Sequence, residues 1–237
     1  MARVVFPAVC ISLLAGLLPA CQATPPAKEL LVQDDFSPAS AVTFAERWAV
    51  EQQPGGTVAV EDGRLVIADA AGCTVWLRQK LTAPIVITFE ATVSSRGRVS
   101  DLNCFWMASD PARPGDLLAP GHSRDGRFVT YDTLRTYYVG YGGNANTTTR
   151  FRRYEGSGAR PLLPEHDLGA PKFLLVPDHT YRITLIADGT RARYLRDGEV
   201  VFDYTDPAPL TEGWFGFRTV NSRIEIRDFR VRHGSFP

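Results

Sequence analysis

Zinc has little to bind in this sequence. The 237 residues include four cysteines, with no Cys-x-x-Cys pair, and four scattered histidines; structural zinc sites draw on closely spaced Cys and His. A basic excess is also missing. Lys+Arg and Asp+Glu both number 26, and nucleic-acid binders present a basic face, so nucleic acid is not an expected partner. No long amphipathic run occurs, and 17 Pro and 20 Gly argue for many turns and few helices. Internal repeats and low-complexity tracts are absent as well.

What is present is apolar and aromatic. Hydrophobic residues make up 44% of the chain and aromatic residues 11%, enough for one substantial core in a domain of about 200 residues. Residues 1–20 carry Arg3, an apolar run from Val4 to Leu18 and small residues before Cys21. That run is short for a spanning helix and fits a secretory signal. Leu18-Pro19-Ala20-Cys21 resembles the bacterial lipoprotein processing box. The resemblance implies cleavage before Cys21, lipidation of its thiol, and a membrane partner reached through that anchor. Gln22 in place of Asp implies the outer membrane, and the expected location is the bacterial cell envelope, on the outer membrane or its periplasmic side. Residues 21–29 then read as lipidated cysteine and tether, and residues 30–233 as a single domain. Removing the leader takes away one charge, Arg3, for a net charge of about −1.

From Leu30 onward, short alternating segments are separated by turn chemistry. Thr57 to Val60 and Arg64 to Ala68 flank Glu61-Asp62-Gly63, a hairpin signal. Cys73 to Arg78, Ile85 to Val93 and Asn103 to Ala108 follow. After two irregular stretches come Tyr181 to Ala187, Arg191 to Arg196, Val200 to Tyr204, Gly213 to Val220 and Arg223 to Val231. This spacing is that of an all-β sandwich or barrel. Cys73 and Cys104, the thiols left outside the leader and the processing box, fit two readings: a disulfide in an oxidising compartment, or small apolar residues at strand core positions.

The densest chemistry lies in Leu134 to Tyr154, LRTYYVGYGGNANTTTRFRRY. Aromatic, β-branched and Thr residues flank Gly142-Gly143-Asn144-Ala145-Asn146, and Gly and Asn tolerate the positive φ that a reversal needs, so a hairpin is expected. Arg135, Tyr137, Val139 and Tyr141 share one strand face; Arg150, Arg152 and Tyr154 share one face of the return strand. If the turn brings those faces together, guanidiniums and phenols form one patch. Arg binds a carboxylate through two parallel hydrogen bonds, and aromatic rings can stack on the apolar face of a pyranose, which points to an acidic polysaccharide or oligosaccharide as partner. From Leu134 to Arg160, Arg135, Arg150, Arg152, Arg153 and Arg160 stand against Glu155 alone, a local positive field in a neutral protein. The plainer reading makes these arginines a solvated strand face and the tyrosines core edges.

Two blocks resemble known proteins. Asp197 to Phe202, Gly213-Trp214-Phe215-Gly216-Phe217-Arg218 and Ile226 to Val231 resemble the last strands of concanavalin A-like jelly rolls, the lectin and glucanase superfamily. Arg124, Gly126, Tyr131, Tyr138, Tyr141 and the Thr149-Arg150-Phe151-Arg152-Arg153-Tyr154 strand resemble a 6250-like family of bacterial domains of unknown function, found among genes for breakdown of acidic glycans. The resemblance implies a jelly-roll sandwich of two antiparallel sheets, one of which holds the glycan. It carries no established catalytic residues.

Jelly-roll hydrolases usually carry Glu-x-Asp-x-x-Glu, which is absent here, and Glu225 and Asp228 fall on opposite strand faces. Lytic cleavage of a uronate needs a carboxylate partner, a base and a proton donor. For those roles the residues offer Arg135, Asn144, Asn146, Arg150, Arg152 and Tyr154 as substrate-binding groups, with Tyr141, Tyr137 and the loop residue His166 as acid or base. Lyase-type β-elimination is therefore the expected activity. A non-catalytic carbohydrate-binding lipoprotein and a hydrolase of unusual mechanism are the alternatives. No cofactor is expected; Asp34-Asp35 and Asp62 could hold a structural calcium or simply form turns, and no metal is assigned.

Overall fold

A computed structural model describes residues 1–2 and 29–234. The leader and the Cys21 lipidation expectation therefore lie outside the described residues. Among those residues no helix is long and apolar enough to cross a membrane.

The described residues form sixteen strands, in chain order: β1 (Leu30–Asp34), β2 (Trp48–Gln52), β3 (Thr57–Glu61), β4 (Arg64–Ala68), β5 (Cys73–Leu77), β6 (Leu81–Thr82), β7 (Ile85–Val93) and β8 (Leu102–Ser109). The second half contributes β9 (Arg135–Gly142), β10 (Thr148–Glu155), β11 (Asp167–Leu168), β12 (Thr180–Ala187), β13 (Arg191–Arg196), β14 (Glu199–Thr205), β15 (Glu212–Thr219) and β16 (Arg223–His233). They form two eight-stranded antiparallel sheets. Sheet I runs β14-β13-β12-β7-β16-β4-β3, with β1 also on β16; sheet II runs β11-β10-β9-β8-β15-β5-β2, with β6 on β15. This is a jelly-roll sandwich.

Period-2 alternation explains how the layers close. Ile85, Ile87, Phe89, Ala91 and Val93 of β7 point inward from sheet I, and Phe215 and Phe217 of β15 meet them from sheet II. Phe89 lies edge-on to Phe217 at 5.0 Å between ring centroids, and Trp48 packs on Phe229 at 5.2 Å, offset geometries that add to plain area burial. The Asp62-Gly63 and Asp197-Gly198 pairs have φ of 48° and 72°, and of 54° and 86°, positive at both central residues as the twist of a two-residue hairpin requires.

The structure decides between the two readings of the thiols. Cys73 and Cys104 are both buried as free thiols. Cys73 pairs with Thr219 and Cys104 with Phe217, so β15 runs between them. Two strand spacings, roughly 10 Å, exceed the ~7 Å Cα limit for a disulfide. Desolvation drives the Cys73 thiol up to about 12 and raises Cys104 further, leaving both as inert core groups. Asp34 is likewise engaged: it accepts hydrogen bonds from Phe36 N and Trp48 Nε1 and pairs with Arg47. Asp35 caps Ser37 N.

Candidate functional site

The outer face of sheet II is organised in transverse rows, because residues directly opposite in an antiparallel ladder share a face. One row reads Thr74, Arg218, Asn103, Gly140, Arg150, Asp167 across β5, β15, β8, β9, β10 and β11. The next reads Ala49, Trp76, Gly216, Phe105, Tyr138 and Arg152. The second row is aromatic. Trp76 stacks on Phe105 at 5.4 Å and Phe105 on Tyr138 at 4.8 Å. Gly216 is required beneath them, since a Cβ there would stand 2.6 Å from the Trp76 ring.

The segment from Asp110 to Leu134 roofs that aromatic row. Leu117, Tyr131 and Leu134 are buried against Trp76, Phe105, Tyr138, Tyr154 and Trp214, with Phe128 packed at the margin. A buried ion cluster holds the roof down. Arg124 Nη2 binds Asp110 at 2.6 Å, its backbone N–H donates to Glu51 Oε1 at 2.7 Å, and Glu51 Oε2 accepts from Trp76 Nε1 at 2.8 Å. Desolvation lowers the Arg124 pKa, against the pull of Glu51 and Asp110. Gly126 fixes the contact point. Its φ is +85°, and a Cβ would meet Gly72 O at 2.5 Å and Gln53 N at 2.7 Å.

Beyond the edge of the roof the first row is open, forming a cleft of about 200 Å³ lined by Asp101, Asn103, Phe128, Tyr138, Gly140, Asn144, Arg150, Arg152, Arg160 and Arg218, among others. Gly140 makes the floor: with no side chain between Asn103 and Arg150, space remains where a Cβ would press on Tyr138 at 3.3 Å. Of four arginines, two are already matched. Arg150 grips Asp167 with Nε at 2.7 Å and Nη2 at 3.1 Å, and Arg160 grips Asp132 at 2.7 and 2.8 Å. The other two are not. Arg152 Nη1 donates to the carbonyls of Arg160 and Pro161. Arg218 Nη1 donates to Thr74 Oγ1 and Gly126 O, and its Nε is buried without a partner. Among the described residues no carboxylate oxygen lies within 4.0 Å of either guanidinium. Arg218 also sits 4.9 Å from the Phe128 ring and 4.8 Å from Tyr131. Asp101, the acid lining the cleft, is taken up by Arg98, Ser100 and Asn103.

The register divides the residues expected to act together. In the β9/β10 ladder Arg150 faces Gly140, Arg152 faces Tyr138 and Arg153 faces Tyr137. Arg150 and Arg152 therefore share the outer face with Tyr138, while Arg153 falls on the face of Tyr137, and Tyr137 and Tyr141 point into the sandwich. Tyr137 is about 1% exposed, donates to Asp206 Oδ2 at 2.7 Å and accepts from Leu210 N. Tyr141 is equally buried and accepts from Arg196 Nη1 at 3.1 Å. Burial raises both phenols well above their ordinary range. His166 is buried in an aromatic box of Phe151, Phe202 and Tyr204, and desolvation lowers its pKa. None of these three lines the cleft.

The binding candidates also separate. Arg150, Arg152 and Asn144 line the cleft; Asn144 Nδ2 donates to Thr148 Oγ1. Asn146 is spent on the backbone of Leu175, donating to its carbonyl and accepting from its N–H. Arg135 lies at a separate shallow surface with Arg153 and Glu155. Tyr154 is buried under the roof with an unpartnered hydroxyl, its pKa pushed up to about 12 by burial. Sequence reasoning assigned no role to Arg218, Arg160, Asn103 or Phe128. A signal existed for Arg218: Trp214, Gly216 and Arg218 alternate onto one face of the closing strand.

A larger trough of about 420 Å³ lies on the outer face of sheet I. Charged groups pair within it: Arg64 and Arg223 both bind Glu225, and Arg223 also reaches Glu61; Arg96 lines it as well. The cleft on sheet II is the stronger site because it sets two arginines without carboxylate partners, Arg152 and Arg218, beside the Phe128 and Tyr138 rings.

Residues 67–229 match the protein family described as a domain of unknown function, DUF6250. The chain belongs to this family. No curated protein matches it. Among solved structures, this DUF6250 protein is similar to a Bacillus subtilis protein of unknown function with a galectin-like fold (22% identity, TM-score 0.67, 86% of this chain and 96% of the other). It is also similar to the carbohydrate-binding module CBM66 from Bacillus subtilis (13%, 0.55, 78% and 94%). A third similar structure is a prokaryotic β-1,3-1,4-glucanase, a lichenase from a mouse hindgut metagenome (14%, 0.51, 80% and 94%). At these identities the likeness is one of fold.

Proposed function

We propose that this protein binds an acidic glycan, seating a carboxylate-bearing sugar in the cleft on sheet II. One observation carries the reading. Arg152 and Arg218 line that cleft with no carboxylate partner, so the site supplies cation and lacks the anion. A uronate carboxylate would supply it, with Asn103, Asn144 and the Tyr138 hydroxyl as polar neighbours and the Tyr138 and Phe128 rings as apolar walls. Glycan binding and glycan cleavage by similar folds are consistent with this, and the leader adds a setting: anchorage through a lipidated Cys21 at the bacterial cell envelope. The test is titration with glucuronate and galacturonate against glucose and galactose. Saturable binding of the acids alone supports the reading; equal binding of the neutral sugars removes it.

Lyase-type cleavage is the second reading, favoured by the position of Tyr138. This phenol lies in the cleft among the arginines, unlike Tyr137 and Tyr141. Burial, with Tyr154 nearby, raises its pKa well above the ordinary value, so at neutral pH it donates a proton rather than accepting one. Elimination would pass the proton α to the carboxylate to water entering through the mouth, break the glycosidic C–O bond as Tyr138 protonates the leaving oxygen, and leave an unsaturated uronate that absorbs near 235 nm. Absorbance that rises on a uronan and is lost in Tyr138→Phe would establish elimination; a flat trace with intact binding leaves the protein as a binder. Hydrolysis by a carboxylate pair has no support in the cleft, where Asp101 is already engaged and Glu225 and Asp228 belong to β16 of the other sheet.

A further inference from the structure

The roof blocks the cleft on two of its sides. Along the strands, the Phe105 and Tyr138 row lies beneath Phe128 and Tyr131. Toward β5, the guanidinium of Arg218 is tied to Thr74 and to Gly126 O, and Gly126 is pressed against Gly72 and Gln53 with no space for a Cβ. Toward β11 the row ends at the part-exposed Arg150 and Asp167 pair. The enclosed space is about 200 Å³, below the roughly 300–1,000 Å³ of sites that take drug-sized ligands. A chain running across the sheet through the cleft toward β5 would have to displace the roof.

We infer that the cleft recognises the end of an acidic glycan, taking one terminal carboxylate-bearing residue while the rest of the chain leaves through the mouth. This rests on the acidic-glycan reading and narrows it to chain ends. The roof from Asp110 to Leu134 enforces the restriction: it covers the aromatic rows on which a longer stretch of sugar could otherwise stack.

The test uses the full-length chain and calorimetric titration with galacturonan, glucuronan and alginate oligosaccharides of two, four and six residues, alongside the monomeric acids. End recognition predicts one protein bound per oligosaccharide at every length for the preferred sugar. Affinity should vary less than about threefold from dimer to hexamer, and the monomeric acid should compete for the same site. Affinity rising more than about tenfold with length, or several proteins per hexamer, would overturn end recognition while leaving acidic-glycan binding intact. Failure of every acid to bind would overturn both. Gly140→Ala, which fills the floor, should abolish binding of all lengths together; loss confined to the longer oligosaccharides would contradict a single subsite.

Discussion

The two outer faces of this sandwich meet solvent in opposite ways. On sheet I the strands β4, β16, β7 and β12 carry an ion ladder in which each acid serves two arginines: Glu225 binds Arg64 and Arg223, and Glu90 binds Arg227 and Arg182. On sheet II the equivalent surface is aromatic, roofed by the Asp110 to Leu134 segment and pinned by buried ions, with one open row. The ladder is self-sufficient and asks for no ligand. The cleft holds Arg152 and Arg218 without carboxylates. A net charge of zero conceals this difference; the ladder's arginines each meet a carboxylate, and Arg152 and Arg218 of the cleft do not.

Substitutions should expose that contrast by size of effect. Trp76→Ala removes the centre of the roofed row and leaves a cavity against Phe105 and Tyr131, so a loss of about 4 kcal/mol is expected by chemical denaturation. Arg124→Met strands Glu51 and Asp110 in the interior. The expected cost is about 3 kcal/mol, at the lower end for a broken buried pair, because Arg113 still binds Asp110 at 2.9 Å. Arg152→Gln keeps a donor for the Arg160 carbonyl but removes the charge. Affinity for an acidic sugar should fall at least tenfold, about 1.4 kcal/mol, with little change in melting temperature.

Asp167→Asn tests the edge of the cleft through pH. The hydrogen bond from Arg150 holds the Asp167 carboxyl below its ordinary 3.8, so the folded value lies under the unfolded one. The pair's contribution is then fully present above about pH 4 and is lost as pH falls through the folded value. The variant should be less stable than the parent by under ~1 kcal/mol at neutral pH, with the difference vanishing in acid. It should also bind an anionic sugar a few-fold more tightly, because Arg150 is released. Smallest of all is Arg64→Ala on the ladder, within about 0.5 kcal/mol for an exposed pair and without effect on sugar binding. A large stability loss there would break the comparison, since it would mean that the two faces are held in the same way.

Much of the fold was legible because the alternation is regular. The hairpins around Asp62-Gly63 and Asp197-Gly198, the strand Ile85 to Val93 and the closing strands follow from turn chemistry and period. The central hairpin was legible as a hairpin but not in register. Its turn uses positive φ at Gly142, Asn144, Ala145 and Asn146, and that geometry sets Arg150 opposite Gly140. Pairing Tyr137 and Tyr141 with Arg150 and Arg152 would need a one-residue slip, and such a slip moves a strand's side chains to the other face. Arg150 and Arg152 reach the cleft, whereas Tyr137 and Tyr141 point into the sandwich. Arg218 went unassigned because its isolation depends on Gly126, Thr74 and Phe128, which come from three distant parts of the chain. The roof was visible as a long loop rich in Pro, Gly and charge; which face it covers is a tertiary fact set by the Arg124, Glu51 and Asp110 cluster.

The most direct measurement is calorimetric titration of the protein and its Arg152→Gln variant with galacturonate, glucuronate and their neutral parent sugars, at low and high salt. Unpaired arginines in the cleft predict saturable binding of at least one acid, weakened by salt and by the substitution, with no binding of the neutral sugars. Neutral sugars bound as tightly as the acids, or acid binding that ignores both Arg152 and salt, would contradict the account.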